Sequence, residues 1–347
     1  MANLINITDA DLKKSAVTYR KDLLLMPVVS ANHTLQHMTA RPGVAGREVV
    51  GELSGDVQFG PYNASRVDDS DLTVTARTLE TFLGSVVKKF DPNSVAKTVY
   101  GELQAQGQAL TAATVTRAVA MYIAGKLGKA LNKAIFSAKR KDSGTTTADL
   151  FDGFDTITAA EIAASNIAAE KGNFKQLTEA ITTANAVDTL MGIYEAASDE
   201  LKMGETKMFI PSDIYNAYCR DYLNTFGAVA YNQQYKKTTL EGSDGRCELV
   251  PLISKAGSKF IHLTTKGNML FGYGSGLADE NVEIEKYDPF LVSYVATMYF
   301  GTQFESISPE ALFVAKLSAQ EISQYITEEP DMPDMPEQAS PSPGIAG

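Results

Sequence analysis

The sequence predicts an α+β fold, and three observations carry that prediction. A long helical stretch between residues 109 and 141 is followed by a late run of strands, without the regular strand and helix alternation of a doubly wound sheet. An early segment from Val44 to Phe90 alternates apolar and polar residues with period two, the pattern of paired strands. The composition, 44% apolar and 21% charged over 347 residues, supplies enough apolar surface for a sizeable core. At roughly 150 residues per domain, this length allows two domains or one body with long excursions.

Taken in order, Asp9 to Met26 reads as a helix with Asp9 or Asp11 as N-cap and Pro27 as its stop. An extended segment leads to Pro42 and Gly43. Glu48 to Leu53, Asp56 to Phe59 and Leu72 to Leu79 then alternate around a polar, turn-rich tip from Gly60 to Ser70, so Val44 to Phe90 is expected to form a long two-stranded hairpin. Such a ribbon is marginal alone in water and needs another surface to lie on. Ala109 to Lys141 is the strongest helix. Val115, Val119, Tyr122, Ile123, Leu127, Leu131 and Ile135 recur at three- and four-residue steps, with Gly125 and Gly128 as tolerable weak points. At 1.5 Å per residue it spans on the order of 50 Å, the dimension of a spine.

Asp142 to Thr147 breaks that helix, and a second is predicted over Phe174 to Lys202. Lys207 to Pro211 reads as a buried strand entering a helix, with Pro211 and Ser212 in its first turn and Tyr215, Tyr218 and Tyr222 on its face. Strands are expected at Glu248 to Ile253, Phe260 to Thr264, Met269 to Gly272, Val282 to Tyr287, Leu291 to Phe300 and Ala311 to Leu317. Residues 328–347 hold five prolines and five acids with no base, the composition of a flexible tail.

The charge of −11 argues against dedicated nucleic-acid wrapping, which favours an excess of bases. The tail contributes five of those negative charges, so local charge is more informative than the total. Between 117 and 141 the chain has seven bases and no acid, and Lys126, Lys129 and Lys133 share a helix face. That face is either a solvated surface or a contact for nucleic acid or an acidic neighbour. Cys219 and Cys247 make no disulfide framework and no zinc pattern, which fits cytosolic production. No signal peptide opens the chain, and no stretch approaches the roughly 20 apolar residues that cross a bilayer.

Catalytic and metal chemistry find little support. His33 and His37 have metal-ligand spacing, but no Glu follows the first and His262 is the remaining histidine, so no metal site is expected. Gly272-Tyr-Gly-Ser-Gly276 departs from a dinucleotide loop by one residue and reads better as a turn after a strand. Val67 to Asp71 clusters carboxylates without the rest of a calcium loop. No nucleophile elbow is present. No catalytic residue and no cofactor is therefore expected, and the chain is read as a non-enzyme.

The order of these elements resembles the HK97-fold major capsid proteins of tailed double-stranded DNA bacteriophages. The resemblance covers about residues 10 to 317. It is carried by Met208-Phe-Ile-Pro-Ser-Asp-Ile-Tyr-Asn-Ala-Tyr218, Glu248-Leu-Val-Pro-Leu-Ile253 and Thr265-Lys-Gly-Asn-Met-Leu-Phe-Gly-Tyr-Gly274, and by the stretches from Tyr287 to Leu291 and Gly301 to Lys316. It implies an N-terminal arm (1–43) reaching along a neighbour, and an extended β-hairpin loop (44–100) lying across an adjacent subunit. A peripheral domain (101–174 and 288–327) would carry the spine helix 109–141, with an axial domain (175–287) and the tail (328–347) completing the chain.

The implied function is that of a structural protein assembling through pentamers and hexamers into an icosahedral head around packaged DNA. It would reside in the virion, and in the host cytoplasm during assembly. Candidate intersubunit contacts are Gly60, Pro61, Tyr62, Asn63, Arg66, Asp68 and Asp69 at the loop tip, with Arg117, Lys126, Lys129 and Lys133 as the basic face of the spine. Implied partners are further copies of the chain, a separate scaffolding protein, a portal, a maturation protease and weakly held DNA, with no membrane. Some relatives lock their shells through an extended-loop lysine. No lysine stands between Lys21 and Lys88 here, which excludes that route. About forty residues precede the hairpin, too few for the fused scaffolding segment of other relatives, hence the separate scaffolding protein. The rivals are an encapsulin-like compartment, a phage tail-tube protein, and a soluble hydrolase using Asp and Glu.

Overall fold

A computed structural model describes residues 23–54, 62, 73–91, 112–227, 238–288 and 291–318. Among the described residues, two five-stranded sheets organise the fold, with a separate two-stranded ribbon. The first sheet is built on the long strand β11 (Leu291–Phe304). Along one edge β11 pairs antiparallel with β4 (Phe82–Phe90). Along the other it pairs in succession with β9 (Met269–Tyr273) and β10 (Asn281–Asp288). β1 (Thr39–Pro42) adds to β9 in parallel.

The second sheet runs in the order β5 (Phe174–Gln176), β12 (Leu312–Lys316), β8 (Phe260–Thr264), β6 (Thr206–Pro211), β7 (Cys247–Leu252). Its strands read as continuous apolar runs because both faces are covered. Phe209, Val250, Leu252, Phe260, Leu312 and Val314 face the main core. Met208, Ile210, Leu249, Ile261, Leu263 and Phe313 face a second core, closed by Val187, Leu190, Ile193, Ile214 and Tyr218 from the helices of residues 186–226.

Seven helices are described. α1 covers residues 23–30, α2 is Asn32–Leu35, and α3, the spine, is Ala112–Ser137. α4 is Phe154–Ala163, α5 Ala186–Ala196, α6 Asp199–Met203 and α7 Ser212–Phe226. The α+β class and the late strands agree with the sequence reading, and α7 follows β6 directly, with Pro211 at the junction.

Several expectations are corrected. Of the helix expected over Asp9 to Met26, the part before Leu23, with Asp9 and Asp11, lies outside the described residues, and Pro27 does not stop the part that is described. Proline removes its own N–H but keeps its carbonyl, and Pro27 O and Val28 O still accept from Ala31 N at 3.1 Å, so α1 continues to residue 30. The hairpin from Val44 to Phe90 is divided. β2 (Arg47–Ser54) pairs with β3 (Thr73–Glu80), but Phe82 to Phe90 leaves the ribbon to become β4 of the first sheet. The spine ends at Ser137, not Lys141, because the following loop folds back: Lys139 N donates to Ala148 O, Arg140 N to Asp152 Oδ1, and Gly153 N to Ala138 O. Its 26 residues span about 39 Å. The helix expected over Phe174 to Lys202 is β5, then α5 and α6. Phe174 to Gln176 are drawn into parallel pairing with Val314 to Lys316, so tertiary pairing overrides the local period. Tyr122, expected on the apolar face of the spine, is 65% exposed.

Candidate functional site

Two surfaces suggested by the sequence can be built from their residues: the β2–β3 ribbon and the basic face of α3. In the ribbon, Arg47 to Ser54 pairs antiparallel with Glu80 to Thr73. Alternation sends Val50 and Leu79 inward, where they pack with Val44 and Leu270. Arg77, on the same side, is the main polar anchor. Its Nη2 donates to Glu161 Oε1 at 2.6 Å and Gln303 Oε1 at 3.0 Å, and its Nε donates to Phe304 O at 3.2 Å. Burial raises the Glu161 carboxyl, but hydrogen bonds from Asn166 and Arg77 and the Arg77 charge outweigh it and hold it below the usual carboxylate range.

Glycines let the ribbon base sit close. A Cβ at Gly301 would collide with Glu80 O, and one at Gly272 would press on Thr81 and Leu79. Thr81 Oγ1 donates to Val44 O at 3.1 Å and accepts from Gly46 N at 3.0 Å, closing the base. The opposite face is bare: Val49 is 73% and Val74 70% exposed. Of the proposed tip residues, Tyr62 is described and is 95% exposed. Gly60, Pro61, Asn63, Arg66, Asp68 and Asp69 lie outside the described residues, as does the Val67 to Asp71 carboxylate cluster.

The spine helix has two distinct sides. Ala120, Leu131, Ala134, Ile135 and Phe136 are buried in the main core. Gly128 is a packing site and not a weak point, because a Cβ there would collide with Ser30 and Pro27 of α1. On the outer side Lys126, Lys129 and Lys133 are all exposed, and Lys126 Nζ lies 5.4 Å from the centre of the Tyr122 ring. The helix contains no acid. Arg117 belongs to it, but its side chain falls outside the described residues.

The sequence reading missed a buried polar cluster beneath the spine. Lys255 Nζ donates to Asp155 Oδ1 at 3.2 Å and to His262 Nδ1 at 3.0 Å, so His262 carries its proton on Nε2 and donates to Thr158 Oγ1 at 2.9 Å. The same Nζ sits 4.3 Å from the centre of the Phe136 ring. Burial lowers both basic groups, and the Lys255 charge pushes His262 further down. The cluster ties α3, α4, β8 and the turn at Ile253–Lys255 together. A histidine inside the apolar run Phe-Ile-His-Leu was the one available signal.

The arm is likewise held by its own chain. Thr34 Oγ1 lies 3.0 Å from Ser254 Oγ, and His37 Nδ1 is 3.3 Å from Lys207 Nζ, which is paired with Glu248. Residues 23–42 therefore pack on this subunit, and the first 22 residues of the expected arm lie outside the described residues. Burial and the Lys207 charge lower His37 to about 4.

The glycine-rich segment 272–276 leads from the end of β9 into a turn, in which Gly274 N donates to Tyr299 O and Gly276 N to Glu280. The buried carboxylate of Glu280 accepts from Gly276 N at 2.8 Å, Leu277 N at 3.1 Å and Tyr299 N at 3.1 Å. Among the described residues no group of three potential ligands could hold a metal ion, and no helix is long and apolar enough to cross a membrane. A cavity of about 510 Å³ between α3, β4 and the loop 140–150 is lined by Leu127, Leu131, Met298, Arg140 and Asp149. Its ionic groups are committed locally, Arg140 to Leu150 O and Asp142, and Asp149 to Thr146 and Lys141.

No family model and no curated protein matches the sequence. Solved structures do. A chain of the satellite phage P4 procapsid that includes the size determination protein aligns at TM-score 0.54 and 10% identity, over 86% of this chain and 98% of that one. The capsid of an empty GTA particle aligns at 0.53 and 15% identity, over 83% and 90%. Gordonia phage Cozz aligns at 0.50 and 16% identity, over 85% and 87%. Over more than four fifths of its length, this chain therefore has the fold of the P4 procapsid and GTA capsid chains, the HK97-like capsid fold that its sequence resembles.

Proposed function

We propose that the protein is a structural subunit that assembles in many copies, through pentamers and hexamers, into a closed icosahedral shell around packaged double-stranded DNA. The observation that carries this reading is the ribbon. Its inner face is fastened to its own subunit, while Val49 and Val74 stand on an outer face that its own fold leaves to solvent. A rigid projection with an apolar side suits a heterologous contact repeated around a symmetry axis, which closes into rings. The shared fold with capsid chains supports the same reading.

In this proposal the segment 44–100 contains the extended loop: the β2–β3 ribbon and its tip residues reach an adjacent subunit, while β4 stays in the first sheet of its own subunit. Residues 101–174 and 288–327 form the bulk of the peripheral domain and 175–287 that of the axial domain, with β9 and β10 joining the sheet of β11 and β12 joining that of β8. A separate scaffolding protein, a portal and a maturation protease act on the assembly, which ends as a virion after forming in the host cytoplasm. The protein catalyses no reaction, and its basic face touches the genome weakly. Lys126→Glu with Lys129→Glu is expected to leave capsomers intact while impairing closure or genome retention. Negative-stain microscopy of the overexpressed protein, with and without a scaffolding partner, tests the whole reading. Closed shells with nuclease-protected DNA are expected. A monodisperse monomer under all conditions overturns it, tubes favour a tail-tube role, and shells holding enzymes instead of DNA favour a compartment.

A further inference from the structure

We propose that the acidic C-terminal segment of this chain docks on the exposed Tyr122–Lys126–Lys129–Lys133 stripe of its own spine helix. Three features carry the inference. First, the stripe has no counter-charge in the described body: α3 contains no acid, and none of the described ion pairs involves Lys126, Lys129 or Lys133. Three ammonium groups at three- and four-residue spacing on one helix repel each other and draw an anion.

Second, the chain after Lys316 holds six acids and no base. Within it the run Glu328-Glu-Pro-Asp-Met-Pro-Asp-Met-Pro-Glu337 sets Glu328, Asp331, Asp334 and Glu337 at every third position, interleaved with Pro330, Pro333 and Pro336. Three is the period of the polyproline II helix, and its 3.1 Å rise would line such acids along one edge about 9 Å apart. Lys126 and Lys133 are seven residues of α-helix apart, about 10.5 Å. Successive acids of the segment thus match the two ends of the stripe, with Lys129 between them.

Third, the segment is long. The described chain ends at Ser318, and the ten residues to Glu328 span up to roughly 33 Å when extended. That is more than half the roughly 50 Å width of a body whose radius of gyration is roughly 20 Å. Docked there, the segment supplies the charge that nucleic-acid phosphates would otherwise supply, and it keeps the stripe covered until a polyanion displaces it. The inference stands apart from the shell reading, since it needs only the charges of one chain.

Zero-length carbodiimide coupling of the dilute full-length chain tests it. The reagent joins a carboxylate to an amine in direct contact, forming an amide with loss of water, which the reagent takes up as its urea. All the segment's acids fall in one tryptic peptide, 317–347, so every link reads as that peptide joined to one containing a lysine. At roughly 0.02 M salt, links to Lys126, Lys129 or Lys133 should exceed links to any other exposed lysine at least about fivefold, in product that runs as a monomer on a denaturing gel. At roughly 1 M salt, where the Debye length is about 3 Å, they should be lost. Links spread evenly over exposed lysines, no links to the stripe, or stripe links confined to a dimer band would each overturn the proposal.

Discussion

One flank of the spine helix α3 is packed into the core of its own chain, whereas the β2–β3 ribbon is held at its base and bare on its outer face. Ile135 and Phe136 of the helix are fully buried, Gly128 admits α1 at close range, and Lys255 reaches up beneath Phe136. The ribbon has one small apolar cluster and the Arg77 anchor, with Val49 and Val74 in solvent. The sequence marks both elements as overlong for a small body. The difference teaches that length alone does not mean an element awaits a partner for its apolar side: the helix buries its inner flank within the subunit and turns a basic stripe outward, and the ribbon leaves apolar residues on its outer face.

The largest test of this contrast is Lys255→Ala. It removes the partner of Asp155 and His262 in a fully buried site, which is expected to cost about 3–5 kcal/mol. Urea denaturation should show the loss as a lower midpoint at unchanged slope. A loss under about 1 kcal/mol would mean that the cluster does not clamp the helix.

Acid titration sharpens the same point. The folded pKa of His262 lies well below 6.5 because of burial and then the Lys255 charge, and that of His37 is lowered to about 4 by burial and then Lys207. Both are depressed, so below pH 6.5 the unfolded chain takes up protons that the folded chain refuses, and stability falls as pH drops from 6.5 towards 4. The slope cannot exceed about 1.4 kcal/mol per pH unit for each histidine, and His37, partly exposed where His262 is fully buried, contributes the smaller part. His262→Gln should flatten the curve over that window, and an unchanged slope would remove His262 from the account.

On the ribbon side, Arg77→Ala leaves Glu161 with one fewer donor and frees the base, with an expected cost of about 1–3 kcal/mol. The damage should be local. Amide exchange should speed up in β2 and β3 while α3 stays protected, a pattern that global unfolding would not produce. Exchange accelerating equally in α3 would show that ribbon and spine form one cooperative unit.

How far the fold was legible follows from where the determining contacts lie. The spine, the Pro211–Ser212 helix start and the late strands were readable because their period or cap is local. Phe174 to Gln176 was misread because its strand state comes from pairing with residues more than a hundred positions away. The departure of Phe82 to Phe90 from the hairpin is likewise set by pairing with β11, which nothing near Glu80 announces. The basic stripe was legible from spacing. The Arg77 anchor and the Lys255 cluster were not, since each joins side chains from segments that only the tertiary fold brings together.

The smallest effect on the subunit itself is expected from Val49→Ser with Val74→Ser, and it divides the two elements most sharply. Both side chains lie on the outer face of the ribbon and touch little of their own core, so their truncation should change stability by no more than about 0.5 kcal/mol, within the usual range for surface substitutions. The same change removes apolar surface from the contact a neighbour would make, at roughly 25 cal/mol for each Å² left uncovered. Because the contact repeats in every copy, a small loss per interface accumulates over a closed assembly. Light scattering should therefore show slower or absent shell formation by a chain whose urea midpoint is unchanged. Normal assembly by this variant would place the ribbon's outer face in solvent in the finished particle, and the ribbon would then be, like the inner flank of the spine, an element whose apolar contacts come from its own subunit.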